Sequence, residues 1–267
     1  MTKYHLYFKL TAETKGLPIM TFCPQNQSWK EKSIVIRERT PVEIILYSVF
    51  LYLSRLSLRR VCSTIAPFIK RSRTFVWKWV HKFGGILRDC YSDRLPEVVV
   101  IDQTPLKVRD MYLWFWFVID PKSRKLVFFM ITRSRTNLAC KKLLRGTQRM
   151  YRCLPSVAIT DSGSWYLMLR RYGIEHKVVS GGIRNYIERL IETIKDRTRV
   201  FDNYFPSERW KVEHVYRWLN LYAFYYNWVR SHLTLCGLPP ILYERGVEVK
   251  DEFERFTIAL QEVIRNA

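Results

Sequence analysis

Three apolar runs in the middle of the chain, Val98–Ile101, Tyr112–Ile119 and Leu126–Ile131, constrain the fold most tightly. None alternates between apolar and polar residues, so each reads as a strand buried on both faces, in a sheet covered by helices. The links between them are short and charged: Lys107-Val108-Arg109-Asp110, then Asp120-Pro121-Lys122-Ser123-Arg124-Lys125. Links of that kind predict an antiparallel three-strand meander.

After the meander come a helical stretch at Asn137–Tyr151, a strand at Ser156–Thr160 and a short strand at His176–Val179. A helix with polar spacing covers Arg184–Arg197. Three antiparallel strands, then helix, strand, helix, strand and helix, is the order of the ribonuclease-H-like fold, an α/β mixed sheet with flanking helices. A shared fold licenses no function by itself, so the side chains must carry that argument.

Ahead of the sheet the texture is helical. Thr40-Pro41-Val42-Glu43 predicts a helix start, with Thr40 as cap, Pro41 in the first turn and Glu43 closing a capping box. Ile45, Val49 and Leu53 give that helix an apolar face. A second helix is expected over Ser57–Ala66, ended by Pro67. The basic turn Lys70-Arg71-Ser72-Arg73 leads into a third, with Phe75, Val76, Trp79, Val80 and Phe83, stopped by Gly84-Gly85. Three short helices with a basic turn before the last outline a helix-turn-helix, with Lys70, Arg71, Arg73 and Lys78 as its DNA contacts.

The charge fits such a partner. Lys and Arg number 45 against 24 Asp and Glu, a net +21 spread along the whole chain, which points to a broad polyanion-binding face. Six cysteines form no C-x-x-C pair and read as free thiols in a reducing compartment. The most apolar stretches are too short to span a bilayer, so the expected protein is cytoplasmic and nucleoid-associated, with no membrane partner.

Against that basic background, acidic residues at strand ends stand out. Asp102 directly follows Val98–Ile101, and Asp161 directly follows Ser156–Thr160. If the two strands are neighbours, their carboxylates converge, and two like charges that close raise a pKa or recruit a cation. Mg²⁺ suits such a site, since it takes few carboxylates plus waters and substrate phosphates. A third ligand is available on the Arg184–Arg197 helix, where Glu188 and Glu192 lie one turn apart and geometry alone does not separate them. The plainer readings are a turn at Asp161-Ser162-Gly163-Ser164 and an ion pair of Glu188 with Arg184 or Lys195. Asp120-Pro121 also ends a strand and reads only as a hairpin turn.

At these residues the sequence resembles the DDE transposases of bacterial and archaeal insertion sequences. The matching stretches are Leu56-Ser57-Leu58-Arg59 to Trp79-Val80-His81-Lys82-Phe83, Val100-Ile101-Asp102-Gln103-Thr104 with Tyr112-Leu113-Trp114, and Thr160-Asp161-Ser162-Gly163 with Trp165-Tyr166. Arg184-Asn185-Tyr186-Ile187-Glu188-Arg189 and Asn203-Tyr204-Phe205-Pro206 follow, then Tyr225-Tyr226-Asn227-Trp228-Val229-Arg230-Ser231-His232 with Leu238-Pro239-Pro240. The resemblance implies that Asp102, Asp161 and Glu188 are the catalytic and metal-binding triad. It also implies two Mg²⁺ ions (Mn²⁺ as substitute), cleavage and strand transfer at terminal inverted repeats and target DNA, and a homodimer or higher oligomer. Gln103 stands where the family usually has Glu, and the Asp161–Glu188 interval is shorter than in many members.

Beside the proposed glutamate, Arg189, Lys195, Arg197 and Arg199 are candidate phosphate clamps, and Arg133 and Arg135 are similar candidates. The aromatic stripe from Val215 to Val229 is expected to be core, with base stacking as the alternative. The expected division is an unassigned segment 1–38, a helix-turn-helix domain 39–90, a ribonuclease-H-like catalytic domain 95–245 and a C-terminal helix 246–267. Two other readings stay open: a DNA-binding relic that no longer cuts, and a different nuclease of the same fold.

Overall fold

The computed structural model describes residues 39–88, 92, 94–108, 111–179, 182, 185–199 and 212–266. The unassigned segment 1–38, the link residues Arg109 and Asp110, Arg184, and the Asn203-Tyr204-Phe205-Pro206 motif lie outside them. Five strands form one sheet: β1 (Val98–Val108), β2 (Met111–Ile119), β3 (Leu126–Thr132), β4 (Val157–Thr160) and β5 (Glu175–Val178). Their order is β3-β2-β1-β4-β5. The first three are antiparallel neighbours, while β4 runs parallel to β1, and β5 parallel to β4. That order and those directions are the ribonuclease-H-like arrangement.

Strand β1 runs longer than its apolar run suggests. It continues through Val108 because β2 pairs with it along that whole length, down to Val108 opposite Met111. Asp102 is therefore inside a strand, not after one. Its parallel neighbour β4 does end at Thr160, so the sheet is half open at that level.

Both faces of the sheet are covered, as runs without polar alternation require. One face carries Val99, Ile101, Trp116 and Val118 under α4 (Asn137–Tyr151), whose Ala139, Cys140, Leu143 and Leu144 are buried against them. The other carries Val100, Phe115, Phe117 and Ile159 under α6 (Asn185–Thr198) and α7 (Val212–Trp228). Between β4 and β5 a 3-10 turn, Ser164–Leu167, runs into the short α5 (Met168–Arg171).

The N-terminal helices are α1 (Val42–Leu53), α2 (Leu58–Ile65) and α3 (Arg73–Ile86), which pack on one another. Ser57 and Ser72 cap α2 and α3 through their hydroxyls. The expected cap at Thr40 does not form. Pro41 occupies that position, and the buried Thr40 hydroxyl instead accepts from Arg71 Nε at 2.9 Å, tying the entry of α1 to the basic turn.

Nor do the two glycines stop α3, which runs on to Ile86. A Cβ on Gly84 would stand 1.9 Å from the Arg217 backbone oxygen, so this glycine is the point where α7 crosses α3. Asn220 Nδ2 donates to the Gly84 carbonyl at 3.0 Å across the same crossing.

The aromatic stripe of α7 is core: Trp218, Tyr222, Phe224 and Tyr225 are all buried, with Trp218 and Tyr222 stacked. Asn227, fully buried, exchanges two hydrogen bonds with the backbone of Leu126 and so fastens α7 to the sheet's edge strand. The chain then forms α8 (Pro240–Arg245) and α9 (Glu252–Asn266). Phe253 and Phe256 of α9 pack on Tyr47 and Phe50 of α1. No helix among the described residues is long and apolar enough to cross a membrane.

Two half-buried histidines make the fold sensitive to acid. His81, at the α3–α7 contact, has both ring nitrogens covered and no hydrogen-bond partner, and its ring packs on Trp77 and His214. Burial, His214 and Arg217 lower its pKa to about 3. Burial and Arg230 lower that of His232 to about 4. Both folded values lie below the ordinary 6.5, so the unfolded chain binds more protons between about pH 6.5 and 3. The stability held by these neutral rings is complete above pH 6.5 and falls as pH drops through that window. Urea midpoints measured from pH 7 to pH 4 should decline, and His81→Phe should flatten the decline.

Candidate active site

The parallel pairing of β1 with β4 sets the geometry. Val98 faces Val157, Val99 faces Ala158 and Val100 faces Ile159. Asp102 lies two residues beyond Val100 in β1, and Asp161 two residues beyond Ile159, just past the end of β4. The alternation of the pleat carries Asp102 onto the face of Val100, which α6 covers with Ile187, Leu190, Ile191 and Ile194.

The two carboxylates differ in setting. Asp102 is 7% exposed, and its Oδ1 accepts the Gln103 N–H at 2.8 Å. Asp161 is half-buried, and its Oδ1 accepts the Gly163 N–H at 2.9 Å in a tight turn. The turn expected at Asp161 is thus present, directly after the end of β4. Asp120, by contrast, bonds the Lys122 N–H and the Ser123 hydroxyl and does only hairpin work.

Gln103 points to the other face and fastens the turn after Asp161. Its Oε1 accepts from the Tyr166 hydroxyl and from Trp165 Nε1, the latter at 3.3 Å. Gly163 has no room for a side chain, since a Cβ there would meet the Trp165 ring at 2.4 Å and Asp161 Oδ1 at 2.9 Å. Burial pushes the Tyr166 hydroxyl well above its usual pKa, and the charges of Asp102 and Asp161 push it further. At the end of β4, the Thr160 hydroxyl donates to the Asp161 carbonyl at 2.6 Å and lies 2.7 Å from His176 Nε2. Sequence reasoning passed over this support; the signal for it was the Trp165-Tyr166 pair beside the aspartate.

Glu188 lies in the first turn of α6 and is exposed, as is Glu192 one turn on. Among the described residues, no three His, Cys, Asp or Glu side chains gather closely enough to hold a metal ion. Asp102, buried, and Asp161, half-buried, each offer carboxylate oxygens where the β1–β4 ladder ends, the donor type that a hard cation takes.

The basic candidates fall into two sets. Lys70, Arg73 and Lys78 are exposed on the turn and on α3, and Arg189, Lys195 and Arg199 are exposed on or just beyond α6. Arg71 and Arg197 are used internally. Arg71 bonds Thr40 and the Lys70 carbonyl. Arg197 turns inward with its guanidinium over the Tyr52 ring, Nε and Nη2 covered, because its place on α6 faces α1 and α7.

No family model matches the sequence. An uncharacterized protein of Methanocaldococcus jannaschii is 29% identical over 202 residues, which cover 75% of this chain and 93% of that one. Among solved structures, the magnesium-bound catalytic core of HTLV-2 integrase in its trimeric form aligns at TM-score 0.41 and 16% identity, covering 55% of this chain and 95% of that one. The simian T-cell lymphotropic virus intasome aligns at TM-score 0.43 and 15% identity, covering 73% of each chain. The catalytic core of BIV integrase aligns at TM-score 0.40 and 16% identity, over 56% of this chain and 95% of that one.

Proposed function

We propose that the chain is a DNA transposase of the DDE kind, which cuts DNA at the ends of a mobile element and joins them to target DNA. The observation that supports the reading is the parallel register of β1 on β4, with Val100 opposite Ile159, which leaves Asp102 and Asp161 each two residues further on at neighbouring strands. Asp102 and Asp161 would hold a divalent metal, Mg²⁺ or Mn²⁺, with Glu188 as the third carboxylate from the start of α6. When bound, such a metal polarises a phosphodiester and makes a water or a 3′-hydroxyl a better nucleophile.

The chain's own groups do the positioning. Gln103, Trp165 and Tyr166 keep the Asp161 turn seated on β1, and Thr160 holds the end of β4. Arg189 adjoins Glu188, and Lys195 and Arg199 lie further along and just beyond α6, where they would take phosphates of the strand being cut. Residues 39–90 would act as a helix-turn-helix unit that holds duplex DNA through Lys70, Arg73 and Lys78. Residues 95–245 would be the catalytic domain. Two element ends must meet for transfer, so the working form would be a dimer or larger.

The test is to mix the protein with labelled duplexes from both flanks of its own gene, in Mg²⁺, Mn²⁺ or EDTA. Nicking at a defined flank position in either metal and none in EDTA is the expected result. Binding without cutting in either metal would overturn the catalytic reading and leave a DNA-binding relic.

A further inference from the structure

Between Asp120 and Asp161 the chain holds ten Lys and Arg and no Asp or Glu. Five of the ten lie in or just after α4: Lys141, Lys142, Arg145, Arg149 and Arg152. The helix buries Ala139, Cys140, Leu143, Leu144 and Thr147 under the sheet, and that stripe fixes which side chains face out. Lys142, Arg145 and Arg149 follow one another at spacings of three and four residues away from that stripe, so they form one row along the outer face. The row spans about 10 Å at 1.5 Å per residue. Among the described residues no carboxylate pairs with any of the three.

The start of the helix is tied to the candidate active site. Just before α4, the exposed Arg135 has its guanidinium 4.5 Å from the centre of the Trp114 ring and 4.1 Å from that of Trp165. Contact with two indoles holds the guanidinium in place, and its N–H groups can still donate to an acceptor such as a phosphate. Trp165 in turn packs on Gly163, within the turn that fixes Asp161. Arg135, Trp165, Gly163 and Asp161 are thus one continuous line of contacts from the start of α4 to the aspartate.

We infer that the outer face of α4 is a second DNA-binding surface, separate from the N-terminal helices. It takes the phosphate backbone of duplex DNA along Lys142, Arg145 and Arg149, with Arg135 at the start of the helix as a further phosphate contact. Charge complementarity selects the occupant: the row has no acidic residue to repel phosphates, and Leu138 is the sole exposed large apolar side chain on α4, too little to enter a lipid surface. This surface rests on the reading of the chain as a DNA-cutting enzyme and adds where the DNA lies.

The experiment is equilibrium binding of a fluorescent 30-base-pair duplex to the full chain, in EDTA, across a series of KCl concentrations. Variants would be Lys142→Gln/Arg145→Gln/Arg149→Gln together, Arg135→Ala alone, and Lys250→Gln as a control on an exposed lysine far along the chain. Every phosphate that a basic side chain neutralises adds close to one unit to the slope of log affinity on log salt. The triple variant should therefore show a slope smaller by about two to three units and bind about 100-fold more weakly near 0.1 M salt. Arg135→Ala should lower the slope by about one unit, and Lys250→Gln should leave it unchanged. A triple variant that matches wild type in affinity and slope overturns the proposal, as does a wild type that fails to bind duplex at low salt. If the slope falls as expected but no metal supports nicking, the surface stands and the catalytic reading alone falls.

Discussion

Gly84→Ala is expected to cost the fold about 3 kcal/mol or more, while Gly85→Ala next to it should cost nothing. The added methyl at Gly84 meets the Arg217 backbone oxygen at 1.9 Å, and a backbone carbonyl inside a helix has no rotamer by which to step aside. Relief requires moving α7 away from α3, which also breaks the Asn220 bond to the Gly84 carbonyl and loosens Val80 and Phe83 from Trp218 and its neighbours. At Gly85 the nearest atom is the Arg217 Nε at 4.0 Å, and alanine there brings a helix-propensity gain of about 0.5–1 kcal/mol. Urea unfolding of the two variants beside wild type reads the contrast. Equal midpoints for Gly84→Ala and wild type would mean that the helices do not cross here.

The second large effect is chemical. Asp102→Asn should abolish metal-dependent cleavage, by about 10³-fold or more, while leaving the fold as stable as before or slightly more so. The asparagine oxygen can still accept the Gln103 N–H, so the local geometry persists. What disappears is the negative charge that, on the proposed reading, a cation needs at this position. Cleavage rate and thermal midpoint, measured on the same preparation, separate the two roles. A variant that loses activity and stability together would make Asp102 a structural residue.

How much of this was legible in sequence depended on whether the determining interaction was local. Helix α4 and the strands announced themselves, because period and β-branched runs are properties of neighbouring residues. The ends were harder. Asp102 lies within β1 because β2 pairs beyond it, and that pairing is not written in the run Val98–Ile101. Gly84 read as a stop because glycine usually ends helices, whereas here it admits a second helix from over a hundred residues away. Thr40 gave up its capping role to bond Arg71, again a distant partner.

The same division applies to the site. Strand placement pointed to Asp102 and Asp161, and the sheet order makes their strands neighbours. Gln103 stands where the resemblance expects Glu, and its carbonyl oxygen serves two donors, the Tyr166 hydroxyl and the Trp165 indole, as an acceptor that carries no charge. Arg197 belonged by spacing with Arg189, Lys195 and Arg199, yet it faces α1 and α7. A helix's solvent face is set by what packs on it, and one helix's sequence does not say how many partners it has.

The most direct test of the central claim, that Asp102 and Asp161 form a metal site, is a calorimetric Mn²⁺ titration of wild type beside Asp102→Asn and Asp161→Asn. Saturable Mn²⁺ binding in wild type that disappears in both variants is the result predicted. Binding that persists unchanged in either variant would contradict it.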